Sequence, residues 1–196
     1  MPPPERILVI GNTGSGKSTL GEELARRLRL PFVELDALFW LPSWTEPASE
    51  DFRTKVRAAT EGGRWVIAGN YRGRTQDITW PQAQVAIHLD LGLWTSLHRV
   101  TRRSWQRSRS KELLWGTNTE TFSKHLELWS DDSLLKWAVK SHLTRRRDHL
   151  RAPTDPRWSH IDFVRLRSPS EVARWLEAVT RAPRTRAAAP ANEVAP

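Results

Sequence analysis

Apolar positions along this chain follow two rhythms. Short, nearly continuous apolar runs rich in β-branched residues occur at residues 6–10, 32–35, 65–68 and 85–90, with a weaker one at 159–166. Unbroken runs of that length are expected of strands covered on both faces. Between them the apolar spacing lengthens to the helical period. Residues 17–29 set Leu20, Leu24 and Leu28 on one face, and residues 49–61 do the same with Phe52 and Val56; further helices are predicted from 93 to about 107 and over 133–151. A last helix opens at Ser168-Pro169-Ser170-Glu171, where a capping serine, a first-turn proline and a capping-box glutamate stand in order, and it continues through Val172, Trp175, Leu176 and Val179. Strands alternating with helices predict an α/β domain: a five-stranded parallel sheet with helices on both faces, right-handed crossovers and a ligand site at the carboxyl ends of the strands. Periodicity stops at residue 182. The chain divides into a domain over 1–181 and an Ala/Pro-rich tail over 182–196 that is expected to be disordered.

Composition narrows the chemistry. At 196 residues the chain buries a core without needing disulfides or a structural metal, and the absence of cysteine excludes thiolate catalysis and Cys-type zinc sites. The six histidines show no metal-ligand spacing. No apolar run approaches the ~20 residues of a membrane span, and the N-terminus lacks the regions of a secretory signal, so a cytoplasmic protein with no membrane partner is expected. The formal charge is +9, and residues 99–151 hold 13 Lys/Arg against 6 Asp/Glu. That concentration points to nucleotide phosphates, to a nucleic-acid backbone, or to no more than a solvated basic surface.

Gly11-Asn12-Thr13-Gly14-Ser15-Gly16-Lys17-Ser18 fits the phosphate-loop pattern between a predicted strand and a predicted helix. Its glycines let successive amides turn inward, and the helix that follows adds its positive end. Lys17 is placed for the β- and γ-phosphates, Ser18 for Mg²⁺ and Thr19 for the α-phosphate, so ATP and Mg²⁺ are the expected cofactors. Kinases, motors, GTPases and ATPases all share such a loop, so the rest of the chain must choose among them.

Four further runs narrow the choice: Leu35-Asp36-Ala37-Leu38-Phe39-Trp40 with Trp44 behind it; Gly69-Asn70-Tyr71; Leu114-Trp115-Gly116-Thr117-Asn118-Thr119-Glu120; and Asp132-Ser133-Leu134-Leu135-Lys136-Trp137. With them the chain resembles the small P-loop kinases over residues 5–179, and among these the adenylate-kinase-related DNA topology modulation protein family. The resemblance implies a three-layer P-loop NTPase fold of nucleoside-monophosphate-kinase type, with an acceptor-binding insertion at about 37–62 and a helical lid at about 105–132. It also implies that Asp36 is the general base or orienter of an acceptor hydroxyl, where the alternative is a plain helix cap. Trp40, Asn70 and Arg72 would meet the acceptor, with Arg74 as an alternative to Arg72 for acceptor or phosphate and a plain surface role as the alternative for either arginine. Relatives carry an aspartate for Mg²⁺ where this chain has Ala68; Asp36 is the substitute beside Ser18, and Asp90 is a poorer one. Arg99, Arg103 and Arg107, spaced by four, share a helix face. In similar kinases such lid arginines, here Arg103 and Arg107, neutralise the transferring phosphoryl group, and Arg145, Arg146 and Arg147 form a second arm. Of the eleven tryptophans, Trp40, Trp44, Trp115, Trp129 and Trp137 fall near the acceptor and lid regions, where they either stack on a planar acceptor or pack the core and lid.

The expected function is an ATP-dependent phosphotransferase acting on a small acceptor. A nucleic-acid-associated NTPase using ATP as a switch is the alternative from another class, and a degenerate nucleotide-binding protein, suggested by Ala68, is the third.

Overall fold

The computed structural model describes residues 3–110, 113–115, 118–119 and 134–181. In chain order the elements are β1 (Arg6–Gly11), α1 (Lys17–Leu28), β2 (Phe32–Glu34), α2 (Leu35–Phe39), α3 (Ser49–Thr60), β3 (Trp65–Ala68), α4 (Arg72–Thr79), β4 (Val85–Leu89), α5 (Leu93–Ser110), the two-residue strands β5 (Leu113–Leu114) and β6 (Asn118–Thr119), α6 (Leu134–Arg151), β7 (Asp162–Leu166) and α7 (Pro169–Arg181). Five strands form one sheet in the order β2-β3-β1-β4-β7, and every pairing in it is parallel.

Strand alternation divides the core in two. Ile7, Val9, Val66, Ala68, Ile87 and Leu89 face a layer made by Leu20, Leu24 and Leu28 of α1 and Leu176 of α7. Leu8, Ile10, Trp65, Ile67 and Ala86 face the opposite layer, where Phe39, Phe52, Val56, Trp80 and Trp158 pack. Since β1 lies at the centre with both faces covered, its sequence from Ile7 to Ile10 is apolar without a break. This is the three-layer α/β/α arrangement expected from the sequence. The start of α7 follows its signature: Glu171 N donates to Ser168 Oγ at 3.2 Å, and the Glu171 carboxylate reaches back to Arg167 N at 2.7 Å.

Some details depart from the pattern. β2 is a residue shorter than predicted, because Leu35 turns into α2 and buries itself with Phe39. β7 begins at Asp162, after a short helical turn at Pro156–Trp158. The short α4 gives little periodic signal: of its buried residues only Ile78 is apolar, and Thr75 and Thr79 return their hydroxyls to the carbonyls of Tyr71 and Thr75. No described helix is long and apolar enough to cross a membrane. Most of the expected lid and the whole of 182–196 lie outside the described residues.

Candidate functional site

The phosphate loop fills the gap between β1 and α1 in the conformation its glycines permit: Gly14 has φ 77° and Gly16 φ 94°. A Cβ on Gly14 would stand 2.4 Å from the Ser96 carbonyl oxygen, so the loop leans directly on the first turns of α5. Arg99 Nη1 donates to the Ser15 carbonyl at 3.2 Å from the same helix. Asn70, just past β3, accepts from Gly11 N at 3.2 Å and donates back to the Gly11 carbonyl. The buried Asn12 amide donates to His142 Nδ1 of α6 at 3.0 Å. Three elements remote in sequence thus hold the loop. Lys17 Nζ folds over it and donates to the Asn12 carbonyl at 3.1 Å.

Two carboxylates at the end of β2 face this loop. Glu34 Oε1 accepts from Ser18 Oγ, and Oε2 accepts from the Trp115 indole N–H at 3.0 Å. In the sheet register Glu34 stands beside Ala68, so β2 supplies a carboxylate next to the position where β3 carries none. Asp36, in the first turn of α2, accepts on Oδ1 from the Tyr71 hydroxyl at 2.7 Å. Burial, and then the Asp36 charge, raises the Tyr71 pKa and keeps that hydroxyl a donor. Burial also pulls the Lys17 ammonium down to about 8; Asp36 opposes this, Arg145 and Arg103 add to it, and Glu34 opposes it. For Arg145, burial lowers the pKa while Asp36 and Tyr71 pull it upward. The carboxyl ends of β1 and β2 therefore gather Lys17, Arg103 and Arg145 with Glu34 and Asp36 in one electrostatically coupled group. Glu34 and Tyr71 are the members that motif reading missed. Glu34 had a visible signal in its place two residues before Asp36 at a strand end, and Tyr71 stood in the Gly69-Asn70-Tyr71 run without a role assigned to it.

The other expected residues divide. Trp40 packs edge-on against Phe39 and Trp44, with ring centroids 4.9 and 5.6 Å away, and Trp44 meets Trp115 at 5.9 Å. Asn70 is engaged with the Gly11 backbone. Arg72 is set apart: its guanidinium stacks 4.8 Å over Trp80 and faces Asp148 and Asp155. Arg74 instead covers Phe39 at 4.8 Å and pairs with Glu46 at 2.9 Å. Arg107 lies one turn beyond Arg103 on α5. Asp90, buried at the end of β4, is taken up by Arg146 at 2.7 Å and by Arg165, and these bonds hold its carboxyl below the usual range against the opposing effect of burial. These pairs lock the end of β4 to α6 and β7. Behind it the buried His88 and His149 rings face each other, centroids 4.9 Å apart. The side chains of Trp129 and Trp137 lie outside the described residues.

The donors near the loop suit a hard cation. Ser18 Oγ and Glu34 Oε1 are within hydrogen-bond contact of each other, and both are oxygens of the kind Mg²⁺ takes beside phosphates.

The shikimate kinase family matches residues 13–53, which run from the loop through Glu34 and Asp36 into α3. No curated protein matches the chain in sequence. Among solved structures, a shikimate kinase from Acinetobacter baumannii in complex with shikimate aligns with TM-score 0.52 at 15% identity, covering 89% of this chain and 90% of that one. A sugar kinase from Janibacter, unliganded, aligns with TM-score 0.51 at 19% identity, covering 92% and 97%. A gluconokinase from Sinorhizobium meliloti gives 0.48 at 20%, covering 92% and 93%. For the first two, at these identities, the likeness is one of fold alone.

Proposed function

We propose that the chain is an ATP-dependent P-loop kinase that passes the γ-phosphoryl group of Mg-ATP to a hydroxyl of a small acceptor at Asp36. The carrying observation is the pair of carboxylates at the end of β2, Glu34 bonded to Ser18 on the nucleotide side and Asp36 bonded to Tyr71 two residues on. Residues 11–19 cradle the triphosphate. Ser18 and Glu34 would hold Mg²⁺, which would neutralise β- and γ-phosphate charge. Lys17, Arg103 and Arg145 set positive charge around the equatorial oxygens of the transferring group, Arg107 comes in with lid closure, and lid closure excludes water. Tyr71 fixes Asp36 Oδ1, leaving Oδ2 to orient the acceptor hydroxyl and receive its proton. The hydroxyl oxygen bonds to Pγ as the bond from Pγ to the β-bridging oxygen breaks, and ADP departs with that electron pair. Within the small kinases, the tryptophan-rich runs around Trp40 and Trp115 favour the DNA-topology-modulation-like branch.

The test is ADP release from Mg-ATP across sugars, hydroxy acids, nucleosides and nucleoside monophosphates, with Lys17→Ala as control. One hydroxylated acceptor should accelerate release in step with its own phosphorylation. Asp36→Asn should slow transfer about 100-fold while sparing ATP binding; intact transfer would remove Asp36 from the chemistry.

A second reading draws on the outer face of α5, where Trp94 is 83% exposed, Trp105 is exposed with Arg109 stacked 4.8 Å over it, and no acidic residue occurs. Bases stacking on these rings, with phosphates on Arg102 and Arg109, would make the chain a nucleic-acid-associated ATPase. Stimulation by DNA alone, fading steeply with salt, would favour that reading over the kinase.

A further inference from the structure

The β5–β6 hairpin is seated on the acceptor side by a buried asparagine. Asn118, 2% exposed, donates to the Leu41 carbonyl at 3.1 Å and accepts from Trp44 N at 2.9 Å. Leu114, its register partner across the hairpin, is also buried. Directly after Leu114 the backbone turns left-handed at Trp115, φ 50°, a conformation that costs a side chain with a Cβ and needs compensation from elsewhere. The turn brings the indole to Glu34. An indole has a single polar atom, a donor, and this one is given to Oε2 of the carboxylate whose Oε1 takes Ser18. The same ring meets Trp44 edge-on, centroids 5.9 Å apart.

We infer that Trp115 is a positioning residue: the seated hairpin uses its indole N–H to hold Glu34 with Oε1 turned to Ser18, so that metal affinity at the nucleotide site depends on the hairpin being docked. The inference rests on the Mg-nucleotide reading of the loop. A ligating carboxylate anchored through its other oxygen has less freedom to lose when a cation arrives, and loss of such outer partners typically weakens metal binding about 10- to 100-fold. The hairpin lies between α5, which carries Arg103, and α6, which carries Arg145. The sequence offered Trp115 only as a stacking surface or as packing; the hydrogen bond gives it a different task.

The experiment measures Mn²⁺ binding to the ADP complex of the full chain by electron paramagnetic resonance, and ADP affinity in EDTA by calorimetry. Trp115→Phe keeps a ring against Trp44 and removes the N–H. Asn118→Ala unseats the hairpin without touching Glu34. Both should weaken Mn²⁺ about tenfold and leave metal-free ADP affinity unchanged. Trp115→Phe should add little on a Glu34→Gln background, since both act on one carboxylate. Wild-type Mn²⁺ affinity in Trp115→Phe, or full additivity with Glu34→Gln, overturns the inference. If Trp115→Phe fails to fold, as judged by its thermal melt, Asn118→Ala decides in the same way. ADP that fails to bind the wild type with or without metal overturns the nucleotide reading, and this inference with it. ADP binding whose metal dependence ignores both variants overturns this inference alone.

Discussion

Lys17 carries the sharpest test of how the site is charged. In the free protein its ammonium is pulled from 10.5 to about 8, chiefly by burial and then by Arg145 and Arg103, while Asp36 and Glu34 oppose the fall. A triphosphate placed against it restores the full ammonium, because an adjacent anion favours the charged form. Nucleotide binding must then take up a proton wherever free Lys17 is partly neutral. The uptake should be about half a proton at pH 8 and close to a whole one by pH 9.5, where the phosphates themselves are already fully ionised. By the same linkage the association constant for Mg-ADP should hold steady below pH 7.5, then fall about tenfold by pH 9 and about thirtyfold by pH 9.5. Calorimetry at pH 8 in two buffers of different ionisation enthalpy reads the uptake directly. Lys17→Arg, whose side chain stays charged throughout, should bind with no uptake and with a flat profile to pH 9.5. Binding without proton uptake at pH 8 in the wild type, or the same alkaline fall in Lys17→Arg, would refute this account of the site.

Two further expectations concern the fold beneath the loop. Burial, opposed by Asp90 and aided by Arg165 and Arg146, lowers His88 to about 4; burial, followed by His88, Arg72, Lys17 and Arg145, lowers His149 to about 3. Each ring stays neutral when folded but gains a proton when unfolded below about 6.5, so stability is complete above that pH and is lost as pH falls toward the folded values, by about 2 kcal/mol per imidazole between pH 7 and 5. Urea unfolding followed by circular dichroism at pH 7, 6 and 5 measures that slope, and His149→Leu should remove roughly half of it; an unchanged slope would exclude the pair as its source. Neither His149 nitrogen has a hydrogen-bond partner among the described residues, so this variant should be no less stable than wild type at pH 7. Asp90→Asn weakens the lock with Arg146 and Arg165 and should lower stability by about 2 kcal/mol in the same urea assay while leaving Mn²⁺ affinity of the ADP complex intact, whereas weakened Mn²⁺ binding would return Asp90 to the metal site.

The five strands and the phosphate loop were legible because each is written locally. A strand covered on both faces must be apolar throughout, as residues 7–10 are, and a loop that wraps phosphates needs glycine where φ turns positive, as at Gly14 and Gly16. The capping box at Ser168–Glu171 is local in the same way. α4 and the β5–β6 hairpin were not legible: one hides threonine hydroxyls in its own turns, and the other is two residues long on each side, held by Asn118 contacts more than seventy positions away.

The site divides along the same line. Sequence by itself determined that a triphosphate loop leads into Asp36 at a strand end, since spacing along one chain carries that information. Only the tertiary structure decided which side chains converge there. It brought Glu34 beside Ala68 through strand register, committed Asn70 to Gly11 and Asp90 to two arginines, turned Arg72 onto Trp80, and delivered Trp115 to Glu34. Each of these is a choice among several reachable partners. Parallel strands and returning helices make that choice by bringing together residues that are far apart in the chain, and no local periodicity records it.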